Sequence, residues 1–185
     1  TAAPIEQIER AILARVEAAL TGGTAPSPTA PIRPKLAPPD ATDEGILQAF
    51  FAAVREDFIP VNRAAKALHP RKRPPFADPR VKPCVEFADT GSYPSGHGIQ
   101  SSLWAALLAE ILPDHAAGFA QRAGETRRYK LLSGVHYPSD LTAGQAVGEA
   151  LARELLKNPA VQKIIAELRA EIAPHLIGGG VRPPR

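Results

Sequence analysis

The clearest pattern in the chain is the helical spacing of its apolar residues. Within residues 43–58, apolar side chains recur every three or four positions: Ile46, Leu47, Phe50, Phe51 and Val54. Such spacing places them on one face of a helix. A shorter apolar stretch of the same kind follows at residues 61–68. We therefore predict one helix over residues 43–58 and a second, short helix over residues 61–68.

Proline and glycine residues mark the ends of the other predicted helices. Residues 97–112 are apolar on more than one face and stop at Pro113, which indicates a buried helix. Further helices are predicted over residues 114–132, 139–157 and 159–172. Residues 70–96 are rich in proline, so we expect irregular chain there. The pattern as a whole predicts an all-α fold.

The two ends of the chain differ from this middle part. Residues 5–20 have apolar side chains at helical spacing and stop at a pair of glycines, which predicts an amphipathic helix. Residues 26–39 are proline-rich and should run as extended chain over the surface. We expect a single domain over residues 1–185. It would comprise this N-terminal part up to residue 42, a helical core at residues 43–173 and a loosely ordered tail at residues 174–185.

Composition narrows the class of protein. The chain has 185 residues, 44% of them hydrophobic, which is enough for one sizeable core. Its formal net charge of +3 is mild and only 5% of its residues are aromatic, so the sequence does not indicate a nucleic-acid-binding protein. No apolar run reaches the ~20 residues of a membrane span. We therefore expect neither nucleic acid nor a membrane span among its partners.

Cysteine and histidine usage predicts no disulfide and no metal site. The single cysteine, Cys84, cannot form an internal disulfide and is expected to be a buried small residue. The five histidines show no metal-ligand spacing, and no cluster of carboxylates accompanies them. Candidate chemistry must therefore come from other combinations of side chains.

The first such combination is the segment at residues 92–97, Ser-Tyr-Pro-Ser-Gly-His, which precedes a predicted helix. A turn that leads into a helix leaves backbone N–H groups unpaired at the positive end of the helix dipole, where an anion is stabilised. Gly96 allows close approach to the backbone, Ser95 adds a hydroxyl, and His97 can exchange a proton near physiological pH. The alternative is that Ser95 only caps the helix and that His97 is a surface residue.

The second combination lies at residues 134–140, Gly-Val-His-Tyr-Pro-Ser-Asp. Asp140 follows His136 by four residues, a spacing from which a carboxylate can fold back onto an imidazole. A carboxylate on Nδ1–H would fix the tautomer and leave Nε2 as the nucleophile or base. Asp140 could instead be an ordinary first-turn acid that interacts with the helix dipole. Small residues behind it, among them Gly144 and Gly148, predict close packing against another helix.

The third combination supplies positive charge at residues 66–74, Lys-Ala-Leu-His-Pro-Arg-Lys-Arg-Pro. Arg73 offers planar paired donors to a phosphate, and Lys66 offers a point charge. The alternative is a solvated basic cluster, because most lysines and arginines are exposed. Four more basic residues lie close by in the sequence: Arg71, Lys72, Arg80 and Lys82.

Taken in order, the three segments resemble the signature of the type-2 phosphatidic acid phosphatase superfamily, which is Lys-x6-Arg-Pro, Pro-Ser-Gly-His and Ser-Arg-x5-His-x3-Asp. Within it, the chain is most similar to the bacterial class A non-specific acid phosphatases, also in residues 91–97 and in Asn158-Pro159-Ala160. The resemblance covers residues 43–171. It implies a single-domain helical bundle of the acid phosphatase and vanadium haloperoxidase type.

The resemblance also implies roles for individual residues. His136 would attack phosphorus to give a phosphohistidine, Asp140 would orient His136, and His97 would protonate the leaving group. The phosphoryl oxygens would be bound by Lys66, Arg73, Ser95 and Gly96. The implied enzyme is a metal-independent phosphoric monoester hydrolase, an acid phosphatase without a cofactor. It would act on small phosphomonoesters and bind phosphate or vanadate at its active site.

One position departs from the signature. The residue that should be the second arginine is Lys130, and Tyr129 replaces the serine before it. A lysine keeps the charge but loses the paired donors of a guanidinium. We expect Lys130 to bind phosphate, with Arg127 or Arg128 as the alternative.

Two other functions compete with this one. They are a vanadium-dependent haloperoxidase, whose site looks alike, and a non-catalytic phosphate-binding helical protein with a decayed site. A homo-oligomer is compatible with the sequence, since the N-terminal helix could pack on its own core or on a neighbour's. The first residues show no charged and then apolar leader. A periplasmic or secreted location is therefore expected from the resemblance alone.

Overall fold

The computed structural model describes residues 43–176 of the chain. The predicted amphipathic helix at residues 5–20 and the proline-rich segment at residues 26–39 lie outside the described residues. So do residues 177–185 of the predicted tail. Residues 174–176 belong to the last helix.

Within residues 43–176 the chain forms six α-helices and a single 3-10 turn, with no strand. The helices and the turn are α1 (Asp43–Leu68), α2 (Pro74–Ala77), α3 (Gly96–Ile111), the 3-10 turn (Pro113–His115), α4 (Ala116–Leu132), α5 (Pro138–Leu155) and α6 (Pro159–Leu176). The predicted all-α fold is confirmed. Pro138 and Pro159 each open a helix, a position where the missing N–H has no intrahelical partner to lose.

The first helix differs from the prediction of two separate helices. α1 is continuous and passes through Pro60. A proline inside a helix removes one hydrogen bond and costs about 3 kcal/mol. The apolar stripe continues without a break across Pro60, because Phe50, Val54, Phe58 and Ala65 are all buried. Burial of several large side chains, worth about 1.5–3 kcal/mol each, outweighs that cost and keeps the helix in one piece.

α3 lies at the centre of the core. Four of its large side chains are at most 1% exposed: Ile99, Leu103, Leu107 and Ile111. The helix has its most extensive contacts with α5, followed by α4. Side chains from α1, α5 and α6, such as Phe50, Val147 and Leu168, complete the same apolar cluster. The N-terminus of α3, which carries one of the candidate segments, is therefore held on several sides.

Two glycines of α5 allow it to approach α3 very closely, as the sequence predicted. A Cβ atom at Gly148 would lie 2.3 Å from the carbonyl oxygen of Ile99. A Cβ atom at Gly144 would lie 2.6 Å from the carbonyl oxygen of Ser95. Both distances are far below van der Waals contact, so only glycine fits. The backbones of α3 and α5 thus touch directly behind the two segments that precede them.

Residues 78–95 connect α2 to α3 without helix or strand. Cys84 lies in this connection and is exposed, so the expectation that it is buried was wrong. The preference of cysteine for the interior does not apply to a segment that runs over the surface. Among the helices described between residues 43 and 176, none is both long and apolar enough to cross a membrane.

Candidate active site

The turn before α3 presents backbone N–H groups for an anion. Ser95 caps the helix, because its Oγ accepts a hydrogen bond from the Gly98 N–H at 3.2 Å. Its carbonyl oxygen accepts from the Ile99 N–H at 2.9 Å. The N–H groups of Gly96 and His97 fall in the first turn, where the helix itself offers no acceptor. Since they lie at the positive end of the helix dipole, this turn can bind a tetrahedral anion.

Backbone hydrogen bonds join this turn to the other two candidate segments. The Ser92 N–H donates to the carbonyl oxygen of Arg71 at 2.9 Å, and the Ser95 N–H donates to that of Asp140 at 2.9 Å. Segments that are far apart in sequence therefore meet at one place. Their relative positions depend on main-chain contacts, which are insensitive to side-chain rotation.

His136 and Asp140 form a buried pair at the start of α5. Nδ1 of His136 lies 3.2 Å from Oδ2 of Asp140, and the Tyr137 N–H donates to the same oxygen at 2.9 Å. The exposed fractions are 4% for His136 and 0% for Asp140. With Asp140 as acceptor, Nδ1 carries the proton and Nε2 keeps its lone pair.

Protonation of the pair follows from its surroundings. Burial alone would raise the pKa of Asp140, but hydrogen bonds from His136, the Tyr137 N–H and Arg71 outweigh it and lower this pKa. Burial lowers the pKa of His136, although the hydrogen bond to Asp140 acts in the opposite direction. An ionised carboxylate beside a neutral imidazole is the state in which Nε2 can act as a nucleophile.

Lys66, in the last turn of α1, points to the segment before α3. Its Nζ donates to the carbonyl oxygens of Gly91 at 2.7 Å and Pro94 at 2.8 Å. Within residues 43–176 two of its three N–H bonds are engaged in this way, which leaves one for a ligand oxygen. Burial, followed by the charge of Arg73, lowers the pKa of Lys66 to about 8. The side chain is therefore a cation at neutral and acidic pH.

Arg73 is a buried cation, with an exposed fraction of 6%. Its Nε donates to the carbonyl oxygens of Thr90 at 3.0 Å and Ala88 at 3.2 Å. Its Nη1 donates to the carbonyl oxygen of Val135 and lies 3.1 Å from Nε2 of His136. The guanidinium is thus anchored to backbone carbonyl oxygens through Nε and Nη1, and the same Nη1 also faces the histidine.

His97 and Lys130 are more exposed than Arg73 and the buried pair. His97 is exposed and Lys130 is half-buried. Partial desolvation, followed by the charge of Lys130 and by those of the other nearby cationic groups, lowers the pKa of His97 to about 4. Lys130 is therefore close enough to His97 to affect it electrostatically.

The alternative cations in α4 have other positions. Nη1 of Arg127 donates to the buried Oγ of Ser102 at 2.9 Å, so this arginine joins α4 to α3. Arg128 is exposed. This geometry favours Lys130 over both arginines as the cation of the site.

The structure brings the predicted residues together, but Ser95 and His97 also show the features of the alternative interpretation. Ser95 caps α3 and is fully buried, and His97 is exposed. Neither feature conflicts with anion binding. A hydroxyl that accepts from one N–H still has its own proton to donate.

Two residues near the site were not identified from the sequence. Nη1 of Arg71, which the sequence places in a basic run, donates to Oδ1 of Asp140 at 2.7 Å. Asn62, one helical turn before Lys66, lies so close to Gly96 that a Cβ there would come within 3.2 Å of its amide atoms. Only the spacing of Asn62 to Lys66, four positions on the same helix, could have pointed to it.

The described residues hold no group of three or more histidine, cysteine, aspartate or glutamate side chains that could bind a metal ion. The positive charges at this site are instead those of arginine and lysine side chains. They suit an anionic ligand.

Comparison with known proteins identifies the family. The family model of the PAP2 superfamily matches residues 45–162. Because the match covers more than half of the chain, the chain belongs to the PAP2 superfamily. The region includes all three segments that form the site.

Several bacterial acid phosphatases are similar over part of their length. The non-specific acid phosphatase of Salmonella typhi is 39% identical over 82 residues, which cover 44% of this chain and 33% of that protein. The acid phosphatase of Zymomonas mobilis is 37% identical over 107 residues, 54% of this chain and 40% of that protein. The non-specific acid phosphatase of Providencia stuartii is 32% identical over 116 residues, 60% of this chain and 46% of that protein. The chain thus spans less than half the length of the curated relatives it matches.

Proposed function

We propose that this member of the PAP2 superfamily is an acid phosphatase that hydrolyses small phosphomonoesters through a phosphohistidine on His136. The observation that carries the proposal is the buried pair of His136 and Asp140, 3.2 Å apart, with Nε2 turned to a cluster of cations. A nucleophile of this kind needs an orienting acceptor on one nitrogen and a lone pair on the other. The names of the similar bacterial proteins support the same activity.

In the first step, the lone pair of His136 Nε2 attacks phosphorus while the bond from phosphorus to the leaving oxygen breaks. The leaving oxygen takes a proton from His97. The imidazole acquires positive charge as the P–N bond forms, and the Asp140 carboxylate stabilises that charge.

In the second step, a water molecule attacks the phosphohistidine. It gives a proton to His97, which has just become neutral, so the general acid is restored. The P–N bond breaks and its electron pair returns to Nε2. Inorganic phosphate leaves, and both histidines are again in their starting protonation states.

The remaining residues stabilise the transferred phosphoryl group. Its equatorial oxygens would accept hydrogen bonds from side chains and from the first turn of α3: Lys66, Arg73, Lys130, Ser95 and the Gly96 N–H. Donors placed in advance where charge develops are worth a few kcal/mol each in comparable enzymes. Because side chains and one backbone N–H fill every role, the scheme needs no metal ion and no cofactor.

Turnover of an aryl phosphate by the full chain in the presence of a chelator tests this proposal. Radiolabelled substrate quenched in alkali should leave phosphate on the protein, and His136→Ala should abolish both labelling and turnover. His115→Ala, which removes an exposed histidine of the 3-10 turn, is the matched control and should keep both. Full turnover by His136→Ala would refute the proposal.

The same assay separates the competing functions. Oxidation of bromide by peroxide and vanadate, without phosphate release, would identify a haloperoxidase instead. Phosphate binding without either reaction would identify a non-catalytic binding protein. We also propose a periplasmic or secreted location, and fractionation of the source cells would test it.

A further inference from the structure

The carboxylate of Asp140 is held from two sides. Its Oδ2 accepts hydrogen bonds from His136 Nδ1 and the Tyr137 N–H, whereas its Oδ1 accepts from Nη1 of Arg71 at 2.7 Å. The Asp140 side chain is fully buried. A buried carboxylate can rotate about its terminal bond unless both oxygens are engaged, and here Arg71 engages the oxygen that His136 does not use.

Residues of the two other candidate segments, 92–97 and 134–140, hold Arg71 in place. The same Nη1 atom donates to Oγ of Ser139 at 2.8 Å. Its guanidinium carbon lies 4.8 Å from the ring centroid of Tyr93 and 5.5 Å from that of Tyr137, as in cation–π contacts. Its carbonyl oxygen accepts from the Ser92 N–H. These contacts orient the guanidinium toward Asp140 without any contact to His136.

We propose that Arg71 is a positioning residue of the dyad, which holds Oδ1 of Asp140 so that Oδ2 faces Nδ1 of His136. Arg71 also acts electrostatically, because its positive charge partly cancels the effect of the Asp140 carboxylate on His136. The kinetic part of this inference rests on the proposed phosphatase function. The structural part, the state of the His136 ring, does not.

Loss of the Arg71 charge should make His136 easier to protonate. Charged or titratable groups reach the region of His136 from each element that surrounds it: Lys66 of α1, Arg71 and Arg73 before α2, His97 of α3, Lys130 of α4 and Asp140 of α5. Asp140 is the only negative group among these, so removal of one cation increases the relative effect of Asp140 on the pKa of His136. The pKa of His136 should therefore rise, and the acid limb of kcat/KM, which requires neutral His136, should move to higher pH.

The test compares Arg71→Ala, Arg71→Gln and Arg71→Lys with Lys72→Ala, in the full chain. Lys72 is the adjacent exposed cation and serves as the matched control. NMR titration of the His136 ring should show a rise of about one pH unit in Arg71→Ala and Arg71→Gln. Arg71→Lys should restore most of the wild-type titration, and Lys72→Ala should not change it. The acid limb of kcat/KM should follow the same order.

A merely structural role would lower the melting temperature of Arg71→Ala without moving the titration. If Arg71→Gln is folded, and if both the titration and the Nδ1–H tautomer of its His136 ring are those of the wild type, the proposal is wrong. Arg71→Gln also decides the matter if Arg71→Ala does not fold. Absence of phosphatase activity in the wild-type protein would refute the proposed function instead, and the NMR titration would still test Arg71.

Discussion

Nη1 of Arg73 lies 3.1 Å from Nε2 of His136, the nitrogen that would attack phosphorus. An arginine nitrogen can only donate, so Nε2 is the acceptor, in agreement with a proton on Nδ1. A phosphoryl group must therefore accept the hydrogen bond from Arg73 in place of Nε2 before its phosphorus can reach the lone pair. The guanidinium that contacts the nucleophile is then available to bind the oxygens of the substrate.

We predict that Arg73→Lys lowers kcat/KM by about 10²–10³-fold and weakens inhibition by phosphate, because a lysine cannot contact two phosphoryl oxygens at once. Thermal stability should fall as well, since the carbonyl oxygens of Thr90 and Ala88 lose their donor. Steady-state kinetics and a melting curve measure the two effects. The control is Arg80→Ala, which removes a largely exposed ion pair with Asp78 and should change neither quantity. Unchanged kcat/KM in Arg73→Lys would remove this arginine from the phosphate site.

Binding of an anion should raise the pKa of His97. Partial desolvation and nearby positive charges lower the pKa of His97 to about 4, so His97 is neutral at pH 6. A tetrahedral dianion neutralises those charges and should shift the His97 titration to higher pH, into the range where the ring can act as an acid. NMR titration with and without sulfate, which does not itself titrate there, measures the shift. A His97 titration that sulfate leaves unchanged would place this residue outside the anion site.

Substitutions in α4 should separate Lys130 from Arg127. Lys130→Ala should lower kcat/KM by an amount equivalent to a few kcal/mol, the value of one transition-state donor, and Lys130→Arg should be tolerated. Arg127→Ala should instead lower the free energy of unfolding, because Ser102 loses a buried hydrogen bond. Kinetics and urea denaturation of the three variants decide between the two positions. Loss of activity in Arg127→Ala with full activity in Lys130→Ala would reverse the assignment.

The contact between α3 and α5 should not tolerate a methyl group. Gly148→Ala would place a Cβ 2.3 Å from the carbonyl oxygen of Ile99 and should lower the free energy of unfolding by about 3 kcal/mol. Gly118→Ala in α4 is the matched control, because no atom lies within 4 Å of its added Cβ. This change should be neutral or stabilising by up to about 1 kcal/mol. Equal effects of the two substitutions in urea denaturation would contradict the close approach of the backbones.

Local signals in the sequence were sufficient for most of the helices in the described part. Proline and glycine end or begin a helix for backbone reasons that do not depend on the rest of the fold, and the starts of α3, α5 and α6 follow them. α1 was predicted incorrectly because burial on both sides of Pro60 outweighs the local cost of the proline. Cys84 was predicted incorrectly for a related reason, since its exposure depends on where residues 78–95 run.

The site could be predicted as far as its signature extends. The spacing of His136 and Asp140 is a property of one helix start and can be read from the sequence. Arg71 could not be distinguished from Lys72 or Arg80 in the same way. All three are basic residues within residues 70–96, which the sequence predicted to be irregular throughout, although Pro74–Ala77 form a short helix. Only the fold determines which of them reaches Asp140.

The direct backbone contact at Gly144 and Gly148 bears on how the protein meets its ligand. Where two helices touch without side chains between them, no rotamer change can absorb a relative movement, so α3 and α5 are expected to move as one rigid body. The anion-binding turn belongs to one helix and the histidine to the start of the other. The distance between them is therefore set during folding, and the ligand does not have to bring them together. Association then avoids the entropic cost of ordering the site.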